Sequence, residues 1–243
     1  TVSVELLDVD RQPTETNVNV TFYNNVTREP LYDFVHYRDP QGRPDSVMLD
    51  GVLSYDVVVN TIPPVVKRDI SFVGGQHNVL PIQTPQGSLV LKQRGHTEYD
   101  KGVKALVRQK GRQEIINIQE VASDEKYLVG TYDIEVLTLP KTYFKDVRIE
   151  QSQPTELNIP GPGVLNANLR TQGHGSIYKI HDSGFQEWIY DLDPEMTRFT
   201  MALQPGKYKL VFRADRSFGS KYTEVKEFEI QTGSTISLSF FGP

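Results

Sequence analysis

Three stretches of this chain follow one pattern. Tyr55-Asp56-Val57-Val58-Val59-Asn60-Thr61-Ile62-Pro63 returns as Tyr132-Asp133-Ile134-Glu135-Val136-Leu137-Thr138-Leu139-Pro140, and in shortened form as Tyr208-Lys209-Leu210-Val211-Phe212. The marker tyrosines stand 77 and 76 residues apart. The longer offset runs without a gap from Tyr55 to Ile82, placing Leu80 and Ile82 on Leu157 and Ile159. Self-similarity at a fixed period means several copies of one folding unit. In the third copy Phe228-Glu229-Ile230 aligns with Val147-Arg148-Ile149 at an offset of 81, so extra residues fall in the polar run Arg213 to Ser220. Insertions settle where backbone is exposed, which predicts a surface loop there. The first halves repeat as well: Gln113-Glu114-Ile115-Ile116 matches Gln186-Glu187-Trp188-Ile189 and Arg28-Glu29-Pro30-Leu31.

The repeated unit is built of strands. Alternation at period 2 recurs in Val2 to Leu6, Val18 to Phe22, Tyr208 to Phe212 and Ser234 to Phe240, rich in β-branched and aromatic residues. Glycine and proline turns punctuate the chain at short spacing, among them Asp182-Ser183-Gly184, which suits a hairpin with a left-handed glycine. Each copy reads as an opening strand, a hairpin, a marker strand and a closing hairpin. Six or seven short strands in about 80 residues predict an all-β fold of three tandem antiparallel Ig-like or prealbumin-like β-sandwich modules. Pro85-Gln86-Gly87 and Pro160-Gly161-Pro162-Gly163 precede the second and third opening strands, which gives modules at 1–85, 86–161 and 162–243. Proline makes these joints stiff and short, so the expected shape is a rod. Val57, Ile134 and Leu210 are expected to face the cores.

Composition narrows the function. A net charge of −5 with interspersed signs, and no basic run alternating with aromatics, argues against nucleic acid or an anionic membrane surface. No apolar stretch approaches the length of a membrane span. Thr1 opens into a strand-like pattern without a signal peptide, so the start reads as processed or truncated. Zero cysteines remove disulfides, thiolate metal sites and cysteine nucleophiles, and suit an exported bacterial protein.

The closing half of each unit, Pro205-Gly206-Lys207-Tyr208 through Glu227-Phe228-Glu229-Ile230 to Leu238, resembles prealbumin-like sandwich modules: carboxypeptidase-regulatory-like, PEGA and Cna-B-type domains. Over its length the chain resembles the region that follows the von Willebrand factor A domain in certain bacterial cell-envelope proteins; Tyr132 to Pro140 and Gln86-Gly87-Ser88-Leu89-Val90 carry that likeness. The Asp-x-Ser-x-Ser metal motif of the A domain is absent. The resemblance implies a non-catalytic, exported array at the periplasm or cell surface. It would serve as a spacer, scaffold or interaction stalk whose partners are other protein domains or envelope proteins. An internal isopeptide bond of the Cna-B kind would call on Lys92, Asn158 and Glu135, but the first copy's opening strand has no lysine.

The remaining candidates divide into a few groups. His36, His77, His96, His174 and His181 show no metal spacing and read as solvated loop residues. Asp8 with Asp10, and Asp191 with Asp193 and Glu195, group acceptor oxygens that calcium could use, but neither has the architecture of a calcium loop, and solvated acids are the simpler reading. Ser183 and Ser217 have no positioned His–Asp partners. No catalytic, cofactor or metal residue is assigned. Trp188 could stack on a carbohydrate, yet its repeat equivalent is Ile115, which favours a core position. Tyr143-Phe144, and Phe218 with Tyr222, are placed in loops at the sandwich ends. They are the ligand-binding candidates of the alternative reading, a glycan- or peptide-binding array.

Overall fold

The computed structural model describes residues 1–14, 17–95, 98, 102–215 and 222–241. Among these residues each repeat contributes seven strands. The first unit holds β1 (Val2–Leu7), β2 (Asn19–Asn24), β3 (Pro30–Val35), β4 (Ser46–Val47), β5 (Ser54–Val59), β6 (Val65–Ser71) and β7 (Asn78–Gln83). The second holds β8 (Gln86–Gln93), β9 (Lys104–Gln109), β10 (Ile115–Glu120), β11 (Asp124–Leu128), β12 (Gly130–Val136), β13 (Thr142–Ile149) and β14 (Pro154–Ile159). The third holds β15 (Gly163–Asn168), β16 (Gly173–Ile180), β17 (Gln186–Asp191), β18 (Arg198–Leu203), β19 (Gly206–Ala214), β20 (Thr223–Ile230) and β21 (Thr235–Ser239). Among the described residues no helix is long and apolar enough to cross a membrane.

Every unit pairs a four-stranded sheet (β3-β2-β5-β6, β10-β9-β12-β13, β17-β16-β19-β20) with a three-stranded one (β4-β1-β7, β11-β8-β14, β18-β15-β21). The ladders are antiparallel except for one pair per unit. There the closing strand lies parallel to the opening strand, with Val4 opposite Leu80, Leu91 opposite Leu157 and Ala167 opposite Leu238. This corrects the closing hairpin expected from sequence. β6 and β7 belong to opposite sheets, as do β13 and β14, and β20 and β21. A parallel pair cannot be joined by a tight turn, so the chain must cross over the core first.

The marker strands β5, β12 and β19 sit inside their sheets, flanked on both sides. Val57, Ile134 and Leu210 are at most 1% exposed, as the repeat register predicts. Three separate cores result, centred on Phe22 and Tyr55, on Tyr127 and Tyr132, and on Tyr208 and Phe212.

The repeat extends to polar detail. Asp56 and Asp133 each accept the backbone N–H of the residue thirteen positions on, Asp69 and Asp146, at 3.0 Å. Both donor residues have φ of 56°, the left-handed region that Asp tolerates better than most residues. The carboxylate thus caps a bulge at the same point in β5–β6 and β12–β13. The third copy has Lys209 at that position, which accepts nothing, and its β19–β20 ladder runs without a register shift.

Candidate functional site

A chain of three sandwiches has two joints, and here both are built alike. Just beyond the end of each marker strand of the first two units come a threonine, an aliphatic residue and a proline. Thr61 Oγ1 donates to the Pro63 carbonyl and Thr138 Oγ1 to the Pro140 carbonyl, both at 2.7 Å, and both prolines follow a cis peptide. The turn so closed turns the aliphatic side chain outward from its own unit. Ile62 packs against the core of the second unit and Leu139 against that of the third. Their carbonyls accept the N–H groups of Leu128 and Gln204, again at 2.7 Å in both joints. Leu128 and Gln204 are also the residues whose carbonyls accept the hydroxyls of Tyr132 and Tyr208, at 2.6 Å. Plug, receiving strand and marker tyrosine therefore form one connected structure.

A second contact stands beside each plug. Gln151 clamps the first unit: its Oε1 accepts Val9 N–H at 2.8 Å and its Nε2 donates to Asp8 Oδ2 at 3.1 Å. At the second joint the corresponding loops also approach each other, with Thr232 Cγ2 3.9 Å from where a Cβ of Gly95 would lie. The linkers have no slack, since two residues separate β7 from β8 and three separate β14 from β15. A Cβ on Gly161 would lie 1.7 Å from the Arg94 carbonyl oxygen, so only glycine lets the linker backbone pass. Among the described residues the corresponding positions of the other two ends do something else. In the third copy Asp215 occupies the plug position and its N–H goes to Gln172. In the first, the receiving N–H of Asp50 donates to Tyr55 Oη at 3.0 Å.

The aromatic candidates are rearranged. Tyr143 and Phe144 lie on β13 and not in a loop. Neighbours in a strand point to opposite faces, so Tyr143 is 59% exposed while Phe144 packs against the second core. They cannot act as a pair. Phe218 lies outside the described residues, and Tyr222 precedes β20 in a different unit from Tyr143.

Trp188, expected in the core, is 57% exposed, and Ile115 is 43% exposed. Both stand on edge strands, β17 and β10, and a bulge at Ile189 and Ile116 shifts the alternation there. The sequence held a signal for this. The third member of the alignment is Pro30, and proline belongs on strand edges.

Other candidates have structural partners. His36 is buried, with Nε2 3.1 Å from the Val4 carbonyl that it serves as donor. β4 covers β1 only at Val2 and Ser3, and His36 takes over beyond it, so the solvated reading fails for this residue. His77 stands between the Thr1 and Ser3 hydroxyls, His174 pairs with Asp215 and His181 with Glu187. His96 and Ser217 lie outside the described residues. Asp8 Oδ1 accepts the N–H groups of Asp10 and Gln12, and Asp193 Oδ1 accepts that of Glu195, so these carboxylates build turns. Lys92 is opposite Asn158 but its ammonium meets Glu156 at 2.6 Å. Glu135, on the other sheet, is held by Lys141 and then Arg108, which keep its carboxyl below the usual range. The three residues imagined for an isopeptide bond are not assembled.

Fold and joints together define a tandem β-sandwich array. No protein-family model matches the chain, and no curated protein matches its sequence. Among solved structures it is similar to the TIE protein of Bacillus anthracis, at 14% identity over 98% of this chain and 49% of that one, with a TM-score of 0.25. It is also similar to a streptococcal ancillary pilin (10% identity, 100% and 99% covered, TM-score 0.29) and to BcpA, the major pilin subunit of Bacillus cereus (8% identity, 98% and 97% covered, TM-score 0.25). The chain thus spans about half the length of the first of these proteins. Likeness at this level assigns neither family nor activity.

Proposed function

We propose that this chain is a non-catalytic spacer or scaffold stalk of an exported bacterial protein, with units at 1–85, 86–161 and 162–243. The observation that carries the reading is the joint, built twice from the same residue types with the same hydrogen-bond lengths. A plug and a separate loop contact oppose bending and twisting together, which a single flexible linker does not. The exposed area supports it as well. The chain exposes 14112 Å², against about 11,000 Å² for a compact monomer of its mass. An excess of that size suits three bodies in series. The cysteine-free composition and the resemblance to cell-envelope sandwich modules support the surface location, and an association with a von Willebrand factor A domain belongs to the same proposal. Partners would be other protein domains or envelope proteins.

Small-angle scattering tests the reading. The wild-type chain should give a maximum dimension well above that of a compact 243-residue protein. The pair Ile62→Ser with Leu139→Ser should broaden the distance distribution while leaving three folded units. A compact envelope indifferent to both substitutions would sink the proposal. A second reading, glycan or peptide binding, keeps one supporting observation among the original aromatics. Tyr143 shares an outward row with Ile118, which is 56% exposed.

A further inference from the structure

The outer face of the third unit carries a group of side chains that the stalk leaves unused. Trp188 on the edge strand β17 lies directly opposite Tyr178 on β16, and both belong to the face turned away from the core. Residues so paired have Cβ atoms about 5 Å apart. The indole is not free to swing, because its Nε1–H donates to Asp191 Oδ1 at 2.9 Å. The same oxygen accepts the Ser176 hydroxyl at 2.6 Å. Beside this pair runs a shallow cleft of about 510 Å³, bordered by His174, Ser176, Tyr178, Asp191 and Arg213. That volume lies within the range of small-ligand sites.

The chemistry of the rim narrows the occupant. The exposed indole of Trp188, with the half-buried Tyr178 ring beside it, offers an apolar surface for C–H groups, while the carboxylate, hydroxyl and imidazole nearby offer polar partners. An apolar ligand would strand those polar groups. Charges on this face are mixed, Asp191 and Glu227 alongside Lys209 and Arg213, so no single sign selects a charged ligand. A pyranose ring with equatorial substituents answers both conditions, since its C–H face stacks while its hydroxyls reach the rim. We propose that Trp188 and Tyr178, with Asp191 and Ser176, form a binding site for neutral oligosaccharides on the outer face of the third unit. The site stands whether or not the array serves as a spacer.

The chain has a single tryptophan, so fluorescence excited selectively at tryptophan reports on this site alone. The intact chain is titrated with cellohexaose and with chitohexaose, and the same solutions are examined by calorimetry. At least one sugar should shift the Trp188 emission to shorter wavelength and bind saturably. Trp188→Ala should weaken that binding by about tenfold or more by calorimetry, and Tyr178→Ala should weaken it as well, as expected for aromatic anchors. Both variants should keep wild-type cooperative unfolding, because the two positions lie outside the core. Absence of emission change and of heat with both sugars would overturn the assignment. Sugar binding that survives Trp188→Ala would do so too. A response only to an extended apolar hexapeptide would mark β17 as an edge for strand addition, and the glycan assignment would fall.

Discussion

Each marker tyrosine does two things at once, and its environment has a measurable consequence. Tyr127 and Tyr132 lie in the second core, and burial pushes both hydroxyls up to about 12 from an ordinary value near 10. Tyr208 is raised as well, by burial first and by Glu187 next. An unfolded tyrosine ionises near 10, while the folded one keeps its proton longer, so above that pH the unfolded state holds fewer protons. The stability that these residues contribute is therefore complete below about pH 10 and lost as pH climbs to about 12. Denaturation midpoints measured across that interval should fall steadily, and absorbance titration should show a late-ionising tyrosine class. Core packing gives a second prediction. Ile134 is 1% exposed, and Ile134→Ala should cost roughly 2–5 kcal/mol by chemical denaturation. A loss well under 1 kcal/mol would mean that β12 turns its other face inward.

At the level of elements the joint is the feature to perturb. Leu139 is only partly buried, so Leu139→Ala should cost less than a core truncation, about 1–3 kcal/mol. Its sharper signature should be loosened coupling between the second and third units, seen as divergent alignment in residual dipolar couplings. Gly161→Ala tests the linker separately. The added methyl would overlap the Arg94 carbonyl, so the joint must open, with an overpacking cost of about 1–3 kcal/mol. Shift changes should appear at Arg94, Gly95 and Gln204 and be absent from the first joint. The elements themselves were legible from sequence to different degrees. Asp182-Ser183-Gly184 forms the expected hairpin turn, with Gly184 at φ of 82°. The closing hairpins were not legible, because alternation announces a strand without naming its partner.

For the whole molecule the question is whether three cores mean three independent folding units. No sheet contains strands from two repeats, and each repeat owns a core. A fragment from Pro162 to Pro243 should therefore unfold cooperatively and give a dispersed NMR spectrum. Loss of the Leu139 plug should leave it somewhat less stable than the same unit in the full chain. A fragment without cooperative unfolding would show that the third unit depends on its neighbour.

Period and alternation alone determined the number of units, their β character and the inward positions of the marker strands. All of these follow from local chemistry repeated at a fixed spacing. The joints were half visible: prolines and glycines marked where they lie, but not that Ile62 and Leu139 leave their own unit to pack into the next. Trp188 was misplaced for a related reason. A bulge of one residue exchanges the faces of a strand, and an edge is defined by the absence of a neighbour, which only the assembled sheet reveals. His36 likewise became buried because β4 is too short to cover β1. Tertiary structure decided those positions, since burial depends on which strands end beside which others and not on the residue's own surroundings in the chain.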